Sequence, residues 1–228
     1  MDITALFDRR FVVLVGNYGS GKTELALNLA LASAREGSTT LVDLDIVNPY
    51  FRSGEKAEEL RQAGVRVLMP TFALSTVDVP ALPPEIQSVF ETPCDRVIFD
   101  VGGDDTGAAA LGRYAPSFRR FAQDVQTALV VNTMRPLTQT AEDVAELAQR
   151  IAARGRLPLD MLINNTNLAG QTDADMLLAG DAVVRRAAEM LGVGRVAATA
   201  MAEVASAVPE LNAAVVARHM QPDWMVDE

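Results

Sequence analysis

An α/β fold is predicted: a mainly parallel sheet of about seven strands, covered on both faces by helices in a three-layer arrangement. Three observations predict it. Short β-rich runs alternate with helix-grade runs along the chain. The strand runs are apolar at successive positions, as in Phe11 to Val15 (FVVLV) and Arg96 to Val101 (RVIFDV), so both of their faces are buried. The first run feeds directly into a glycine-rich loop and then a helix. At 228 residues a single domain spanning 1–228 accounts for the whole chain.

Met1 to Arg10 is a lead-in to strand one, Phe11 to Val15. The helix that starts at Lys22 carries Leu25, Ala26, Leu27, Leu29, Ala30, Leu31 and Ala32 and ends near Gly37, a residue type suited to the position after a helix C-terminus. Strand two is Thr39 to Asp45, and Pro49 stops any helix across Ile46 to Arg52. A polar helix from Gly54 to Ala63 ends at Gly64, and Val65 to Met69 is a third strand. Pro80, Pro83 and Pro84 make 71–84 an ordered loop. Strand four, Arg96 to Val101, runs into Gly102-Gly103-Asp104-Asp105 and a helix from Thr106 to Ala122. Strand five is Thr127 to Asn132. The next helix opens on a Thr140/Asp143 capping box, buries Val144, Leu147, Ala148 and Ile151, and ends at Gly155. Strand six is Leu159 to Asn164; Thr172 then caps a helical region that Gly180 divides and Gly192 ends. Strand seven, Arg195 to Thr199, precedes a last helix from Val208 to His219 with Pro209 in its first turn. Residues 220–228 form a tail that either docks through Trp224 or is mobile.

The chemistry concentrates where the strands end, which is where open parallel sheets bind ligands. Gly16-Asn17-Tyr18-Gly19-Ser20-Gly21-Lys22-Thr23 reads G-x-x-x-x-G-K-T, a phosphate-binding loop between a strand and a helix. Its glycines let the backbone N–H groups close around an anion, and the helix N-terminus adds partial positive charge. Lys22 reaches the β- and γ-phosphates and Thr23 offers its hydroxyl to Mg²⁺. Gly16 to Thr23, with Glu24, are therefore the candidate nucleotide-binding residues. Asp100 closes the apolar strand VIFD, where a carboxylate holds Mg²⁺ directly or through water. Asp43 and Asp45, two apart on a strand, share a face and repel unless a cation lies between them.

Composition excludes other classes. The net charge of −10 opposes broad nucleic-acid or anionic-membrane binding. Arg113, Arg119 and Arg120 read more simply as solvated helix arginines than as a basic patch. The lone Cys94 cannot build a disulfide framework or a cysteine metal cluster, and is expected as a buried or half-buried thiol before a strand. His219, the only histidine, has no partner motif for a metal site or a triad. No apolar run is long enough to span a membrane and the N-terminus lacks a signal-peptide layout, so a cytoplasmic protein is expected.

GNYGSGKT, then DLDIVNPYFR, then VIFDVGG, in this order, resembles the MinD/ParA/CobQ-type branch of the P-loop NTPases, the SIMIBI class, from strand one to strand seven. The resemblance implies an ATP-binding protein with Mg²⁺ that releases ADP after slow hydrolysis and acts as a nucleotide-dependent switch or assembly factor. It implies that Asp43 helps hold the Mg²⁺ water shell, that Asp45 orients the attacking water, and that Lys22 stabilises phosphate charge. It also implies that Asn164, or Asn165 one residue on, reads adenine. MinD/ParA proteins carry a signature lysine early in the loop that crosses a homodimer interface; here Asn17 stands in its place and Tyr18 replaces the next glycine. Arg52 is a candidate substitute cation. The N-K-x-D pattern of GTPases is missing at Asn132-Thr133-Met134-Arg135, so guanine is the less expected base. Asn132 and Arg135 are candidates for the acceptor or phosphate side of the cleft. A second reading resembles dethiobiotin synthetase or the cobyrinate amidation enzymes: an ATP-dependent phosphotransferase or ligase, with a small acceptor near Arg52, Arg113 or Arg135. The partners expected are thus nucleotide, with a client protein or a small-molecule acceptor.

Overall fold

The computed structural model describes residues 1–45, 54–69, 84–103 and 105–220. These residues form one sheet of eight parallel strands: β1 (Phe11–Gly16), β2 (Thr39–Asp43), β3 (Val65–Leu68), β4 (Arg96–Asp100), β5 (Val125–Val131), β6 (Met161–Asn164), β7 (Val196–Ala200) and β8 (Ala214–Val215). Their order is β3-β2-β4-β1-β5-β6-β7-β8. The helices are α1 (Lys22–Ser33), α2 (Gly54–Gln62), α3 (Pro84–Ser88), α4 (Asp105–Arg113), α5 (Ala115–Arg120), α6 (Ala141–Gly155), α7 (Ala174–Leu191) and α8 (Ala202–Ala207). The α/β fold class and its parallel sheet are as the sequence predicts.

Alternation along the strands builds the two cores. Phe11, Val13 and Val15 of β1 face one side with Phe99, Leu129 and Leu162, beneath Val144 of α6 and Val184 of α7. Val12 and Leu14 face the other with Ile98, Ala128 and Ile163, beneath Leu25 and Leu29 of α1. Every residue of β1 is buried, and each large side chain contributes about 2 kcal/mol of transfer free energy. The first core is tightened by aromatic packing, with Phe118 edge-on to Phe90 and to Phe99 at 5.0 Å between centroids in each case.

Several local expectations change. The helix predicted from Thr106 to Ala122 breaks at Tyr114 into α4 and α5. Gly180 does not divide α7. It lets the helix approach the loop after β6, since a Cβ there would lie 2.2 Å from Thr166 Oγ1. Asp173, not Thr172, caps α7 by accepting from Met176 N at 2.8 Å. The Thr172 hydroxyl instead accepts from Leu168 N and donates to Ala169 O within the loop. The last helix, expected from Val208 to His219, is a short 3-10 turn at Pro209–Leu211 followed by β8. Asn212 takes φ +45° and turns the chain, and Ala214–Val215 gain ladder bonds at the β7 edge that outweigh a local helix. Thr140 and Asp143 do form the predicted capping box. Strand two ends at Asp43, two residues early. Arg52, the loop at 71–83 and the tail at 221–228 lie outside the described residues. No helix among the described residues is long and apolar enough to cross a membrane.

Register places the site. Leu14 and Asp43 both pair with Asp100, Gly16 pairs with Val130, and Val131 pairs with Asn164. The carboxyl ends of β1, β2, β4, β5 and β6 therefore lie along one edge. After β1 the chain lays down β2, β3 and β4 on one side of it and then crosses to build β5 to β8 on the other, which makes β1 the switch point of the sheet.

Candidate functional site

The loop from Gly16 to Gly21 leaves β1 and delivers Lys22 and Thr23 as the first residues of α1. Lys22 is buried at 7% exposure, and its Nζ donates to Asn17 O at 2.9 Å, so the ammonium folds back over its own loop. Thr23 Oγ1 donates to Asp100 Oδ2 at 2.6 Å, which joins the helix start to the end of β4. Gly103 presses against this loop: a Cβ on it would sit 2.6 Å from Tyr18 N, so no larger residue fits.

Three acids gather at this end. Asp100 is 2% exposed and its Oδ1 has no hydrogen-bond partner among the described residues. Burial pushes its carboxyl up to about 6, and Asp45 adds in the same direction, while Lys22 and the Thr23 bond act against the rise. Asp43 sits beside Asp100 on the neighbouring strand, and its Oδ1 accepts from Asp45 N at 2.8 Å. Asp43 and Asp45 do not share a strand face as expected, because β2 ends at Asp43 and its carboxylate caps the turn that follows. Asp45 is nevertheless half-buried and reaches the site, with its carboxylate beside Gly102.

These residues fit Mg²⁺. A buried carboxylate with one unpartnered oxygen, bonded through the other to a threonine hydroxyl, gains from a cation. Mg²⁺ takes few protein oxygens alongside phosphate and water.

On the other side of the loop lies a cavity of about 230 Å³, walled by Gly19, Gly21, Glu24 and Arg135, by Asn165, Thr166 and Asn167 after β6, by Ala200, Met201 and Val204 after β7, and by the C-terminal stretch 216–218 with Met220. Asn164 is not in it. Its side chain is fully buried, with Nδ2 donating to Leu177 O at 2.9 Å and Oδ1 accepting from Thr166 N at 3.1 Å. The expectation that Asn164 reads the base is corrected: it ties β6 to α7. Asn165, on the opposite face, lines the cavity and braces the loop, donating to Ser20 O at 2.8 Å and accepting from Thr199 Oγ1 at 2.9 Å.

Asn132 is also structural. Its Oδ1 accepts from Met134 N and Asn167 N, and its Nδ2 donates to Asn167 O, buckling the loops after β5 and β6 together. Glu24 faces the C-terminal stretch, its carboxylate accepting from His219 N at 2.5 Å and Met220 N at 3.1 Å. Asn28, one turn on, exchanges two bonds with the backbone of Ala217. The sequence carries no signal for this strap, whereas the polar run Asn164-Asn165-Thr166-Asn167 flags a built loop. Arg113, Arg119 and Arg120 are exposed on α4 and α5, as solvated helix arginines. Cys94 is a half-buried free thiol that donates to Ser38 O and Arg96 O.

No protein-family model and no curated protein sequence matches the chain. Solved structures do. The cell division protein FtsY of Thermotoga maritima superposes with a TM-score of 0.54 at 16% identity, over 87% of this chain and 64% of that one. A nucleotide-binding protein of Archaeoglobus fulgidus in complex with ADP gives 0.51 at 14% identity, over 99% of this chain and 95% of that one. FlhF complexed with GTP and Mg²⁺ gives 0.50 at 16% identity, over 86% and 67%. The fold is that of the P-loop NTPases. This chain spans less than two thirds of the FtsY chain, but nearly the full length of the Archaeoglobus protein.

Proposed function

We propose that this chain binds Mg²⁺–ATP and hydrolyses it slowly, working in the cytoplasm as a nucleotide-dependent switch or assembly factor. The observation that carries the reading is the Thr23–Asp100 contact at 2.6 Å, with Asp100 Oδ1 left unpartnered beside a P-loop whose lysine is within reach of the same space. The nucleotides named for the Archaeoglobus protein and FlhF support a nucleotide-binding reading of this fold. The choice of ATP rests on the sequence resemblance and on the missing N-K-x-D pattern, with Asn164 no longer contributing.

Lys22 exchanges its bond to Asn17 O for phosphate oxygens and offsets the charge that develops on them. Thr23, Asp100 and Asp43 would hold Mg²⁺, which supplies charge neutralisation at the phosphates. Asp45 orients a water for in-line attack. Gly103, packed against Tyr18, and Gly102, beside the Asp45 carboxylate, report the γ-phosphate to the segments that follow β2 and β4. A second reading, phosphoryl transfer or ligation on a small acceptor, is favoured by one observation. Asn17 is committed within its own chain, donating to Pro136 O at 2.8 Å, where the dimeric ATPases that it resembles extend a lysine.

The test is phosphate release from Mg²⁺–ATP and Mg²⁺–GTP across protein concentration, with Lys22→Ala as control. ATP turnover lost in the variant supports the reading. Turnover seen only after a metabolite extract is added supports the second reading, and a preference for GTP sinks the choice of base.

A further inference from the structure

The loop after β5 crosses the mouth of the P-loop and is pinned there. Arg135 N donates to Asn132 O at 3.2 Å, and Thr138 Oγ1 donates to Asn132 O at 2.7 Å and Arg135 O at 3.1 Å. Asn17 holds the same turn from the other side, donating Nδ2 to Pro136 O at 2.8 Å while its Oδ1 accepts from Tyr18 N at 2.8 Å. Fixed this way, Arg135 lays its side chain over Gly19. Nε donates to Gly19 O at 3.3 Å, and the Cβ direction of Gly19 points at the guanidinium, 3.1 Å from Nε.

One guanidinium nitrogen is thus used for placement, and the two Nη groups make no hydrogen bond or ion pair among the described residues. Glu24, the acid that shares the cavity wall, does not draw the arginine away, because its carboxylate is taken by the N–H groups of His219 and Met220. Position decides what the free donors meet. On the proposed reading Asp43, Asp45 and Asp100 mark the γ end of the cleft, whereas Arg135 lines the cavity with Gly19, Gly21 and Glu24. A nucleotide whose base enters the cavity brings its inner phosphates past that point. Guanidinium matches phosphate oxygens in a planar, two-pronged contact.

We propose that Arg135 is a nucleotide-binding residue acting within its own chain, taking oxygens of the α- and β-phosphates through its Nη groups, and that Asn17 is the positioning residue that holds it over the loop. The inference rests on the reading of the cleft as a nucleotide site. The arginine's contact is then common to di- and triphosphate.

The experiment is calorimetric titration of the full chain with Mg²⁺–ADP and with a non-hydrolysable Mg²⁺–ATP analogue. Arg135→Ala raises both dissociation constants by the same factor, about tenfold, and Arg135→Lys recovers part of the loss. Asn17→Ala gives a smaller loss in the same direction, and adds nothing in the Arg135→Ala background, the mark of a residue that acts through the arginine. Arg135 is exposed, and an unchanged melting curve shows that the variant is folded. Unchanged affinity for both nucleotides in folded Arg135→Ala overturns the inference and leaves the nucleotide site standing. Loss for the triphosphate analogue alone overturns it too, by placing the guanidinium at the γ end. A wild-type chain that binds neither nucleotide overturns the reading of the cleft itself.

Discussion

Asp100→Asn separates the cost of a functional carboxylate from its use. In the native state burial moves this carboxyl from its ordinary 3.8 to about 6. Between those two values the unfolded chain ionises and the native chain keeps its proton, so stability falls as pH rises through the interval. Above pH 6 the native state carries the full penalty: about 2 pKa units at 1.36 kcal/mol each, or about 3 kcal/mol. Asparagine has almost the same shape, accepts the Thr23 bond through its oxygen, and carries no charge. Its amide leaves a buried donor in place of the unpartnered Oδ1, which takes back about 1 kcal/mol. The variant should therefore be more stable than wild type by about 2 kcal/mol at pH 7.5 in EDTA, a rise in Tm of about 4–8 °C for a chain of this size. At pH 4, where native Asp100 is protonated, the penalty is largely gone and the variant should be no more stable than wild type. Scanning calorimetry of the two nucleotide-free proteins at both pH values measures it, and calorimetric titration should show that the variant has lost Mg²⁺-dependent nucleotide affinity. A variant that melts below wild type at pH 7.5 would refute the reasoning, since Asp100 would then be a satisfied structural group.

Other outcomes follow from single contacts. Asn164→Ala leaves Leu177 O and Thr166 N without their buried partner, so urea unfolding should show a loss of about 2 kcal/mol; a change in the preference between ATP and GTP would contradict its placement. Gly180→Ala should destabilise by about 1–3 kcal/mol although alanine is the better helix former, because the new Cβ meets Thr166 Oγ1. A neutral or stabilising result would remove that contact from the account. Glu24→Ala should speed hydrogen exchange at the His219 and Met220 amides while amides in α6 keep their rates; unchanged exchange would show that the strap is held by other contacts.

The parts of the site that are legible in the sequence are those whose chemistry is local. The spacing from Gly16 to Thr23 dictates a loop and a helix start wherever it follows a strand, and Asp100 is placed by the apolar run before it. Legibility stops where one residue decides the outcome. Asn164 ends β6 and Asn165 follows it directly, and the extended backbone sends the first side chain towards α7 and the second towards the P-loop. Which of the two faces the ligand depends on register in a sheet not yet folded. Asp45 is similar: β2 stops at Asp43, so a turn, not strand spacing, brings Asp45 to Gly102. The stretch from Val208 to His219 reads as helix from composition alone. Its extended form depends on the β7 edge and, from far away in sequence, on Asn28 and on the Met1 backbone. Gly180 reads as a helix breaker until the loop it accommodates is in place.

The most direct test of the central claim, that Lys22, Thr23 and Asp100 form a Mg²⁺-dependent nucleotide site, is the equilibrium affinity of the intact chain for ATP measured with Mg²⁺ and with EDTA. Binding should weaken at least tenfold without Mg²⁺ and be abolished by Lys22→Ala. Affinity that is indifferent to Mg²⁺ and unaltered in that variant would contradict it.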